Sequence, residues 1–421
     1  MNKINVGLIG LGTVGSGVVK TLRNFENIQI TKIAVKSMGK KRNIENLDES
    51  MLTTDAFSIV NDPNVDIVVE VIGGVNPAFD LIKTAIMNKK HVVTANKELL
   101  AKHGEELFKL ASENNVVILY EAAVGGGIPI IMPVKMTLSV NRIDKIAAIL
   151  NGTTNYILTK MDEEGADYAE VLAEAQKLGY AETDPTGDVE GFDAAYKIAT
   201  LATIAFKKRV NIKNIHREGI TKISARDMAY AKQLGYKIKL IALAQMDGND
   251  ADVRVHPMLV KSKHTLAHIN GVTNAVMLAG EPIGQIVLSG PGAGEFPTAS
   301  SVVGDIVTIC SELNKTDVVL PMMRCTHKEN ANPVSISDTK NKYYILFNVN
   351  NEPGVIGTIG AICGKHNINL ASLLQQDIDD GGDVAEVVVI TAKCLEADVQ
   401  DAIRELEANS CIVKSLIRVM E

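Results

Sequence analysis

A glycine-rich turn between an apolar strand and a helix is the feature that most limits how this chain can fold. Residues 4–9 read INVGLI, which favours a β-strand, and the next six residues read GLGTVG. In this context the first glycine permits a tight turn, the second lets the backbone approach a pyrophosphate, and the third allows close packing of helix on strand. The free N–H groups that open the helix attract an anion. The turn predicts a dinucleotide site formed by Gly10, Leu11, Gly12, Thr13, Val14 and Gly15.

Apolar strands and amphipathic helices alternate through the first part of the chain. The predicted strands are 4–9, 28–35, 65–71, 91–94 and 116–121, and the predicted helices are 14–25, 77–88 and 98–114. Alternation at this spacing is typical of a parallel, doubly wound sheet. We therefore predict an α/β fold class with a Rossmann-type nucleotide-binding domain.

The rest of the sequence is predicted to form an α+β substrate and dimerisation domain and a compact C-terminal domain. The boundaries place the nucleotide-binding domain at 1–133 plus 301–320, the α+β domain at 134–300, a linker at 321–342 and the last domain at 343–421. The linker lacks periodicity and is rich in Asn, Ser, Pro and charged residues. The last domain has a ferredoxin-like strand–helix–strand–strand–helix–strand pattern.

Positive charge follows the second predicted strand. An NAD site usually has a carboxylate here, which binds the ribose hydroxyls. This chain instead has Lys36, followed by Lys40, Lys41 and Arg42. Cations suit a 2′-phosphate, so the sequence favours NADP(H) over NAD(H). A solvated basic loop is the alternative interpretation.

Two polar residues lie at the end of the strand at residues 91–94, where ligands bind in doubly wound folds. They are Thr94 and Lys97. An ammonium group at this position is predicted to face the nicotinamide and the substrate oxygen, with a surface lysine as the alternative.

Charged residues concentrate between positions 175 and 197, which read AQKLGYAETDPTGDVEGFDAAYK. Asp188 is predicted to cap the N-terminus of the following helix. In that helix Glu190, Asp193 and Lys197 fall at i, i+3 and i+7 and share one face. An Asp193–Lys197 ion pair is the ordinary explanation for an exposed helix. Because the helix continues as an apolar run, it is predicted to be buried, and its charges then call for a polar substrate.

This segment resembles the signature of the homoserine dehydrogenase family across its whole span. The matching positions are Ala175, Gly179, Asp184, Pro185, Asp188, Gly191, Asp193 and Lys197. The resemblance extends to TANK at 94–97, EAAVGGGIPII at 121–131, NGTTNYIL at 151–158 and GPGAG at 290–294. It therefore covers essentially residues 1–320.

The resemblance implies a role for each matching position. Lys197 would exchange the proton at the substrate oxygen, and Lys97 would assist beside the cofactor. Homoserine would be held by Gly179, Glu182, Asp188 and Asp193. Gly292 would approach the cofactor. A monovalent cation such as Na⁺ would be bound by the backbone of Glu121, Val124, Gly126 and Ile128. The implied reaction interconverts L-aspartate 4-semialdehyde and L-homoserine in threonine and methionine biosynthesis.

Three other functions compete with this interpretation. A phosphorylating semialdehyde dehydrogenase needs a cysteine nucleophile, and no cysteine precedes Cys310. Another Rossmann-type alcohol or amino-acid dehydrogenase remains an alternative that a substrate panel would decide. A non-catalytic amino-acid sensor is disfavoured because Lys97, Glu182, Asp193 and Lys197 are all present.

The last domain resembles the ACT family, which binds small amino acids. The implied effector residues are Asn351, Pro353, Gly354, Val355, Asn367 and Asn369. Residues 351–355 lie at a predicted strand-to-helix turn, and the backbone N–H groups at such a helix N-terminus favour a carboxylate. Asn367 and Asn369 are expected to come from a neighbouring copy in a homodimer or homotetramer. L-threonine is the implied feedback inhibitor, and a purely dimerising appendage is the alternative.

Composition excludes two classes of partner. No concentrated basic face is present, so a nucleic-acid partner is not expected. No apolar run approaches the ~18 residues that cross a bilayer, so no membrane partner is expected either. The N-terminus lacks a signal-peptide pattern, and the five cysteines include no CxxC pair. These features predict a cytoplasmic enzyme.

Overall fold

The computed structural model describes residues 3–40, 42, 44–313, 327, 329–377 and 384–420. In this part of the chain the strands are β1 (Ile4–Ile9), β2 (Ile28–Ala34), β3 (Leu52–Thr53), β4 (Ile67–Glu70), β5 (His91–Thr94), β6 (Ile118–Leu119), β7 (Arg142–Ile149), β8 (His216–Arg217), β9 (Tyr236–Asp247), β10 (Asp250–Lys261), β11 (Thr273–Glu281), β12 (Gly284–Pro291), β13 (Asn332–Pro333), β14 (Lys340–Asn350), β15 (Leu370–Asp377), β16 (Val384–Thr391), β17 (Cys394–Leu395) and β18 (Ile412–Val419).

The helices follow the same order along the chain. The α-helices are α1 (Thr13–Leu22), α2 (Phe57–Val60), α3 (Ala78–Met87), α4 (Lys97–Glu113), α5 (Ile131–Lys135), α6 (Gly152–Glu164), α7 (Tyr168–Lys177), α8 (Thr186–Val189), α9 (Phe192–Phe206), α10 (Ala225–Gln233), α11 (Glu295–Leu313), α12 (Val355–Lys365) and α13 (Glu396–Ala408). Short 3₁₀ helices lie at Glu49–Met51, Glu121–Ala123, Ile212–Asn214, Thr265–His268 and Ile336–Asp338. Among the described helices, none combines the length and apolar character that a membrane span requires.

The chain divides into two compact units. The first contains Met1–Ile146, Ala195–Lys213 and Thr273–Ala331, and the second contains Ala147–Ala194, Asn214–Val272 and Asn332–Glu421. Parts of two predicted segments lie outside the described residues, namely 314–320 of the predicted return to the first domain and 321–326 and 328 of the predicted linker.

The first unit is built on a six-stranded sheet of order β3-β2-β1-β4-β5-β6, in which every pair is parallel. This confirms the predicted doubly wound fold. Helices α1 and α11 pack so closely that a Cβ at Gly17 would lie 2.6 Å from the Glu295 carbonyl oxygen. The last strand is shorter than the predicted 116–121, since the chain turns into a 3₁₀ helix at Glu121.

The second unit contains a continuous sheet in which some strand pairs are antiparallel and others are parallel. Strands β9 and β10 form a long antiparallel hairpin, and β10 pairs in parallel with β18 through Met258 and Leu259. The sheet continues in the order β18-β14-β16-β15, with α12 and α13 completing the predicted βαββαβ pattern. The fold of the C-terminal part is therefore confirmed. It has its own apolar core, which includes Phe347, Ile359 and Val387.

A buried lysine joins three segments of the second unit. Lys239 on β9 is 2% exposed, and its Nζ donates to the Ile269 carbonyl oxygen at 2.6 Å and to Oδ1 of Asn155 and Asn270 at 3.1 Å each. Burial, with a smaller effect from Lys237, lowers the pKa of Lys239 to about 8, from 10.5. Between these two pH values the unfolded chain binds more protons than the folded chain, so stability gains from this group as the pH rises.

This shift predicts a pH-dependent difference between the wild type and Lys239→Met. The stability of the wild type relative to the variant should rise by about 2 kcal/mol between pH 8 and pH 10.5. Urea unfolding of both proteins at pH 8, 9 and 10.5 measures the difference, and other titrating groups cancel in the comparison. Parallel pH dependences would show that Lys239 has an ordinary pKa.

Candidate active site

The glycine turn of the first unit has the backbone shape that its sequence predicts. Gly10 has φ +107°, and its N–H donates to the Ala34 carbonyl oxygen at 3.0 Å. A Cβ at Gly15 would lie 2.1 Å from the Gly10 carbonyl oxygen, whereas a Cβ at Gly12 would meet no atom within 4 Å. The turn therefore presents open backbone at Gly12, directly before α1 begins at Thr13.

The apolar members of the turn point the other way. The side chains of Leu11 and Val14 pack against the core of the first unit. Any contact that they make with a bound nucleotide would therefore use their backbone atoms, in keeping with a pyrophosphate that binds N–H groups.

Lys36 lies at the end of β2, exposed, two residues beyond Ala34. Because Ala34 accepts the hydrogen bond from Gly10, Lys36 lies on the same edge of the sheet as the glycine turn. The guanidinium of Arg42 donates to the carbonyl oxygens of Met38 at 3.3 Å and Lys40 at 2.9 Å. Position 41 lies outside the described residues.

A buried carboxylate that the sequence analysis missed organises the next strand ends. Glu70, the last residue of β4, is fully buried, and it accepts hydrogen bonds from the backbone N–H groups of Ile72 at 2.8 Å and Gly73 at 3.2 Å. The hydroxyl of Thr94 donates to the same carboxylate at 2.6 Å. Burial raises the pKa of Glu70, which these hydrogen bonds oppose. A single Glu at the end of an apolar run, before two glycines, was the signal in the sequence.

Lys97 occupies an electrostatically unfavourable position. It is the first residue of α4, where the helix dipole is positive and repels a cation. The N-cap, Asn96, accepts from the Leu99 N–H at 3.1 Å and donates to the Gly74 carbonyl oxygen at 2.6 Å. Asn96 thus fixes the start of α4, and with it the position of Lys97, just after the end of β5.

Lys197 is buried, with 8% of its surface exposed, in the helix α9. Helix α9 lies beside α4, where the Lys102 ammonium is 5.6 Å from the centre of the Tyr196 ring. A cavity of about 620 Å³ is lined by residues of both helices, including Leu100 and Thr200. Leu100 lies three residues after Lys97, and Thr200 lies three residues after Lys197, which is about one helical turn in each case.

Two predicted substrate carboxylates are joined by an amide in the second unit. The Nδ2 of Asn151 donates to Asp188 at 2.7 Å and to Asp193 at 3.0 Å. The Oδ1 of Asn151 accepts from the Thr154 N–H at 2.9 Å, so the same side chain caps α6. Both carboxylates are therefore gathered at a helix N-terminus, where negative charge is favourable.

Two details of the sequence interpretation are wrong. Asp188 does not cap the long helix, because the turn after Pro185 forms the separate short helix α8, which contains Asp188. Glu190 lies between α8 and α9 and does not share the face of α9. Its carboxylate instead accepts from the Thr221 hydroxyl at 3.1 Å.

Gly179 and Glu182 lie on the turn that follows α7. Gly179 has φ +78° and ends the helix, with its N–H donating to the Gln176 carbonyl oxygen at 3.0 Å. The Gln176 side chain in turn donates to the Glu182 carbonyl oxygen at 3.0 Å. Glu182 itself is exposed and lines an open depression with Thr183 and Asp184.

The predicted cation loop begins at a second buried carboxylate. Glu121 accepts from the backbone N–H groups of Ile130 at 2.5 Å, Ile131 at 2.7 Å and Met132 at 2.7 Å. Its own N–H donates at 2.8 Å to Asp305, whose pKa burial raises well above the usual value.

The other predicted loop residues, Val124, Gly126 and Ile128, follow Glu121 along the chain. The Gly126 carbonyl oxygen accepts from the Ser301 hydroxyl at 2.7 Å. Val124 and Ile128 are fully buried, and the Ile128 N–H donates to the Gly125 carbonyl oxygen at 2.9 Å. Residues on both sides of this loop are therefore held by hydrogen bonds to two buried acidic side chains.

Gly292 packs backbone against the same loop. A Cβ at Gly126 would lie 2.3 Å from the Gly292 carbonyl oxygen, and a Cβ at Gly292 would lie 2.0 Å from Nδ2 of Asn274. Asn274 is 1% exposed, and among the described residues neither its Nδ2 nor its Oδ1 has a hydrogen-bond partner. An unpaired buried amide is costly, and a ligand is a natural partner for it.

The predicted effector residues lie at opposite ends of one helix. Gly354 has φ +101° and caps α12 directly after Pro353, and Val355 begins the helix. Asn351 accepts from the Gln375 side chain at 3.4 Å. Two further predicted residues follow the other end of α12, namely Asn367, with φ +58°, and Asn369, whose carbonyl oxygen accepts from Ala392 at 2.7 Å. Eleven helical residues separate the two groups by about 16 Å, so a single chain does not bring them together.

Known proteins match each part of this arrangement. The family described as "Homoserine dehydrogenase, NAD binding domain" matches residues 10–121, "Homoserine dehydrogenase" matches 129–307, and "ACT domain" matches 343–411. A homoserine dehydrogenase from Synechocystis sp. is 45% identical over 435 residues, which cover 99% of each chain.

Solved structures agree. The crystal structure of a homoserine dehydrogenase from Thiobacillus denitrificans is 38% identical, with a TM-score of 0.94 and coverage of 100% of this chain and 99% of that one. A hyperthermophilic archaeal homoserine dehydrogenase in complex with NADPH is 28% identical, with a TM-score of 0.64 and coverage of 74% and 98%. The chain belongs to the homoserine dehydrogenase family, whose members are oxidoreductases that act on a CH–OH group.

Proposed function

We propose that this chain interconverts L-aspartate 4-semialdehyde and L-homoserine with NADP(H), and that Lys197 exchanges the proton at the substrate oxygen. The observation that carries the proposal is a buried ammonium in α9, whose first turn also holds Asp193. Burial strengthens the interaction of an ammonium group with a negative charge that develops close to it. A substrate carbonyl that becomes an alkoxide develops such a charge.

A nicotinamide cofactor, when bound, would supply the hydride for the semialdehyde carbonyl carbon, or would take one from homoserine in the reverse direction. As negative charge develops on the carbonyl oxygen, the Lys197 ammonium stabilises it and donates a proton to that oxygen. Lys97, which helix α4 and Asn96 hold in place, adds positive charge beside the cofactor. In the oxidation of homoserine the same Lys197 nitrogen, as a neutral amine, accepts the hydroxyl proton.

The carboxylates of the second unit are proposed to hold the amino-acid part of the substrate. Asp188 and Asp193 are gathered by Asn151, and together they suit the ammonium and hydroxyl of homoserine. Glu182 and the Gly179 backbone are proposed to complete this group from the turn after α7.

The proposed cofactor is NADP(H). Open backbone at Gly12 suits the pyrophosphate, and Thr94 lies at the strand end beside Lys97. The exposed ammonium of Lys36 lies on the edge of the sheet where the 2′-phosphate binds in this fold. The unpaired amide of Asn274 beside Gly292 offers a donor and an acceptor to the cofactor. The NADPH complex of the archaeal relative supports this choice.

A monovalent cation such as Na⁺ is proposed to bind the loop of Glu121, Val124, Gly126 and Ile128. Carbonyl oxygens are ligands that hard cations prefer. Two buried acidic side chains, Glu121 and Asp305, accept hydrogen bonds from backbone N–H groups at both ends of this loop and so fix its shape. The cation would hold the loop against Gly292.

The C-terminal module is proposed to bind L-threonine as a feedback inhibitor, in a homodimer or homotetramer. The free N–H groups at the start of α12 suit a carboxylate. Because Asn367 and Asn369 lie at the other end of α12, a second copy would supply them to the same ligand.

Replacing Lys197 by Ala should lower kcat by about 10²- to 10⁴-fold, because the proton donor is lost. The Kd for NADPH should stay within a few-fold, as measured by fluorescence titration. Lys83→Ala, which removes an exposed lysine of α3, is the matched control and should behave as wild type. Near-normal turnover in Lys197→Ala would rule out the assignment.

Lys36→Asp should shift the cofactor preference, because a carboxylate repels the 2′-phosphate and accepts from the ribose hydroxyls instead. The ratio of kcat/KM for NADPH to that for NADH should fall by about tenfold or more, which is the effect of one charged hydrogen bond. Absorbance at 340 nm with each cofactor gives both values from the same preparation. An unchanged ratio would assign Lys36 to a solvated loop.

Asn351→Ala should raise the threonine concentration for half-maximal inhibition by about tenfold through the loss of a hydrogen bond to a charged ligand. Turnover without threonine should not change. If millimolar threonine alters neither the activity nor the melting temperature of the wild type, threonine is not the effector.

A further inference from the structure

A short segment at residues 216–221, here termed the bridging segment, packs against the turn between α8 and α9. The N–H of Ile220 donates to the Val189 carbonyl oxygen at 2.8 Å, and the Thr221 hydroxyl donates to Glu190 at 3.1 Å. The guanidinium of Arg217 lies 3.4 Å from the centre of the Phe192 ring and also donates to the Glu190 carbonyl oxygen. Backbone and side chain thus fix the turn from one side.

Contact is closest at Gly219. A Cβ there would lie 2.4 Å from the Val189 carbonyl oxygen and 2.8 Å from the Glu190 Cα. These neighbours are backbone atoms, so they cannot rotate away as a flexible side chain can. The turn that is held in this way runs directly from Asp188 to Asp193, the two carboxylates joined by Asn151.

The opposite side of the bridging segment is tied to the C-terminal module. The Glu218 N–H donates to the Val255 carbonyl oxygen of β10 at 2.8 Å. The Glu218 carboxylate accepts from Nη1 of Arg418, on β18, at 2.9 Å. Arg418 is 2% exposed and makes two further hydrogen bonds to Glu396, both of 2.8 Å.

Glu218 is held in its charged form. Partial burial would raise the pKa of Glu218, but the hydrogen bond with His216 and the Arg418 charge outweigh it and lower this pKa to about 2. A buried arginine between two carboxylates is a directional contact, since its guanidinium fork fixes the angle of each partner. A movement of β18 would therefore displace the Glu218 side chain.

We propose that the bridging segment positions Asp188 and Asp193 for the substrate, and that Glu218 couples their turn to β18 of the C-terminal module. Arg217, Glu218 and Gly219 are positioning residues, because each acts through the turn. The inference rests on the proposed function, in which these carboxylates hold homoserine, and extends it to a route by which an effector alters the affinity for homoserine.

The first test is Gly219→Ala, which inserts one methyl group between the segment and the turn. The KM for homoserine should rise by about tenfold, whereas the KM for NADP⁺ should stay within twofold. Gly304→Ala is the control, since a Cβ there meets no atom within 4 Å. An unchanged homoserine KM, or an equal rise for both substrates, would overturn the positioning role.

The second test is Glu218→Gln, which keeps the shape and removes the charge opposite Arg418. The variant should keep the wild-type KM for NADP⁺, while the fold-increase in homoserine KM that 5 mM threonine causes should shrink at least threefold. Arg404→Gln is the control, because this exposed arginine lines the same cavity as Glu218 and Arg418, while its described ion pair is with Asp401. An undiminished threonine effect would overturn the coupling.

The two proposals fail in different ways. Absence of homoserine oxidation in the wild type would contradict the proposed function itself. A wild-type enzyme that threonine does not affect would overturn both the effector assignment and the coupling. The Gly219→Ala result would still decide the positioning role. If Gly219→Ala does not fold, Arg217→Lys replaces it, because lysine keeps the charge but loses the planar group above Phe192.

Discussion

The amide of Asn151 is the contact on which the candidate substrate site depends. Two carboxylates that lie close together repel one another unless donors stand between them. The two hydrogens of one Nδ2 satisfy an oxygen of Asp188 and an oxygen of Asp193, and the Oδ1 of the same side chain caps α6. One residue thus sets the separation of the carboxylates and ties it to a rigid helix.

The same principle shapes the first unit, where buried carboxylates fix loops by accepting backbone N–H groups. Glu70 holds the loop after β4 and turns Thr94 towards itself, and Glu121 holds the start of α5 with three hydrogen bonds. These loops border the glycine turn and the proposed cation loop. Because each acid accepts hydrogen bonds from several backbone N–H groups, these bonds restrain the loops, as the preorganisation of the proposed site requires.

Local steric requirements made part of this arrangement predictable from the sequence. The glycine turn, the doubly wound sheet and the βαββαβ module follow from short-range patterns, such as a positive φ at Gly10 or the alternation of strands and helices. Asp188 was misplaced because the turn after Pro185 closes into a helix of its own. That helix also leaves Glu190 outside α9.

Polar pairs between residues far apart in the chain could not be predicted from the sequence. Glu218 and Arg418 are 200 positions apart and Glu121 and Asp305 are 184 apart, so no local pattern links them. Asn274 is an ordinary strand residue in the sequence, and only its burial shows that its amide lacks a partner. The roles of Lys97 and Lys197 remain predictions that burial and placement support.

The most direct test of the account is a crystal structure of this chain with NADP⁺ and L-homoserine bound. We expect Nζ of Lys197 to lie within about 3 Å of the substrate hydroxyl oxygen, the distance of a hydrogen bond through which a proton can pass. A complex in which that oxygen contacts a different proton donor, with Lys197 directed away from the substrate, would contradict it.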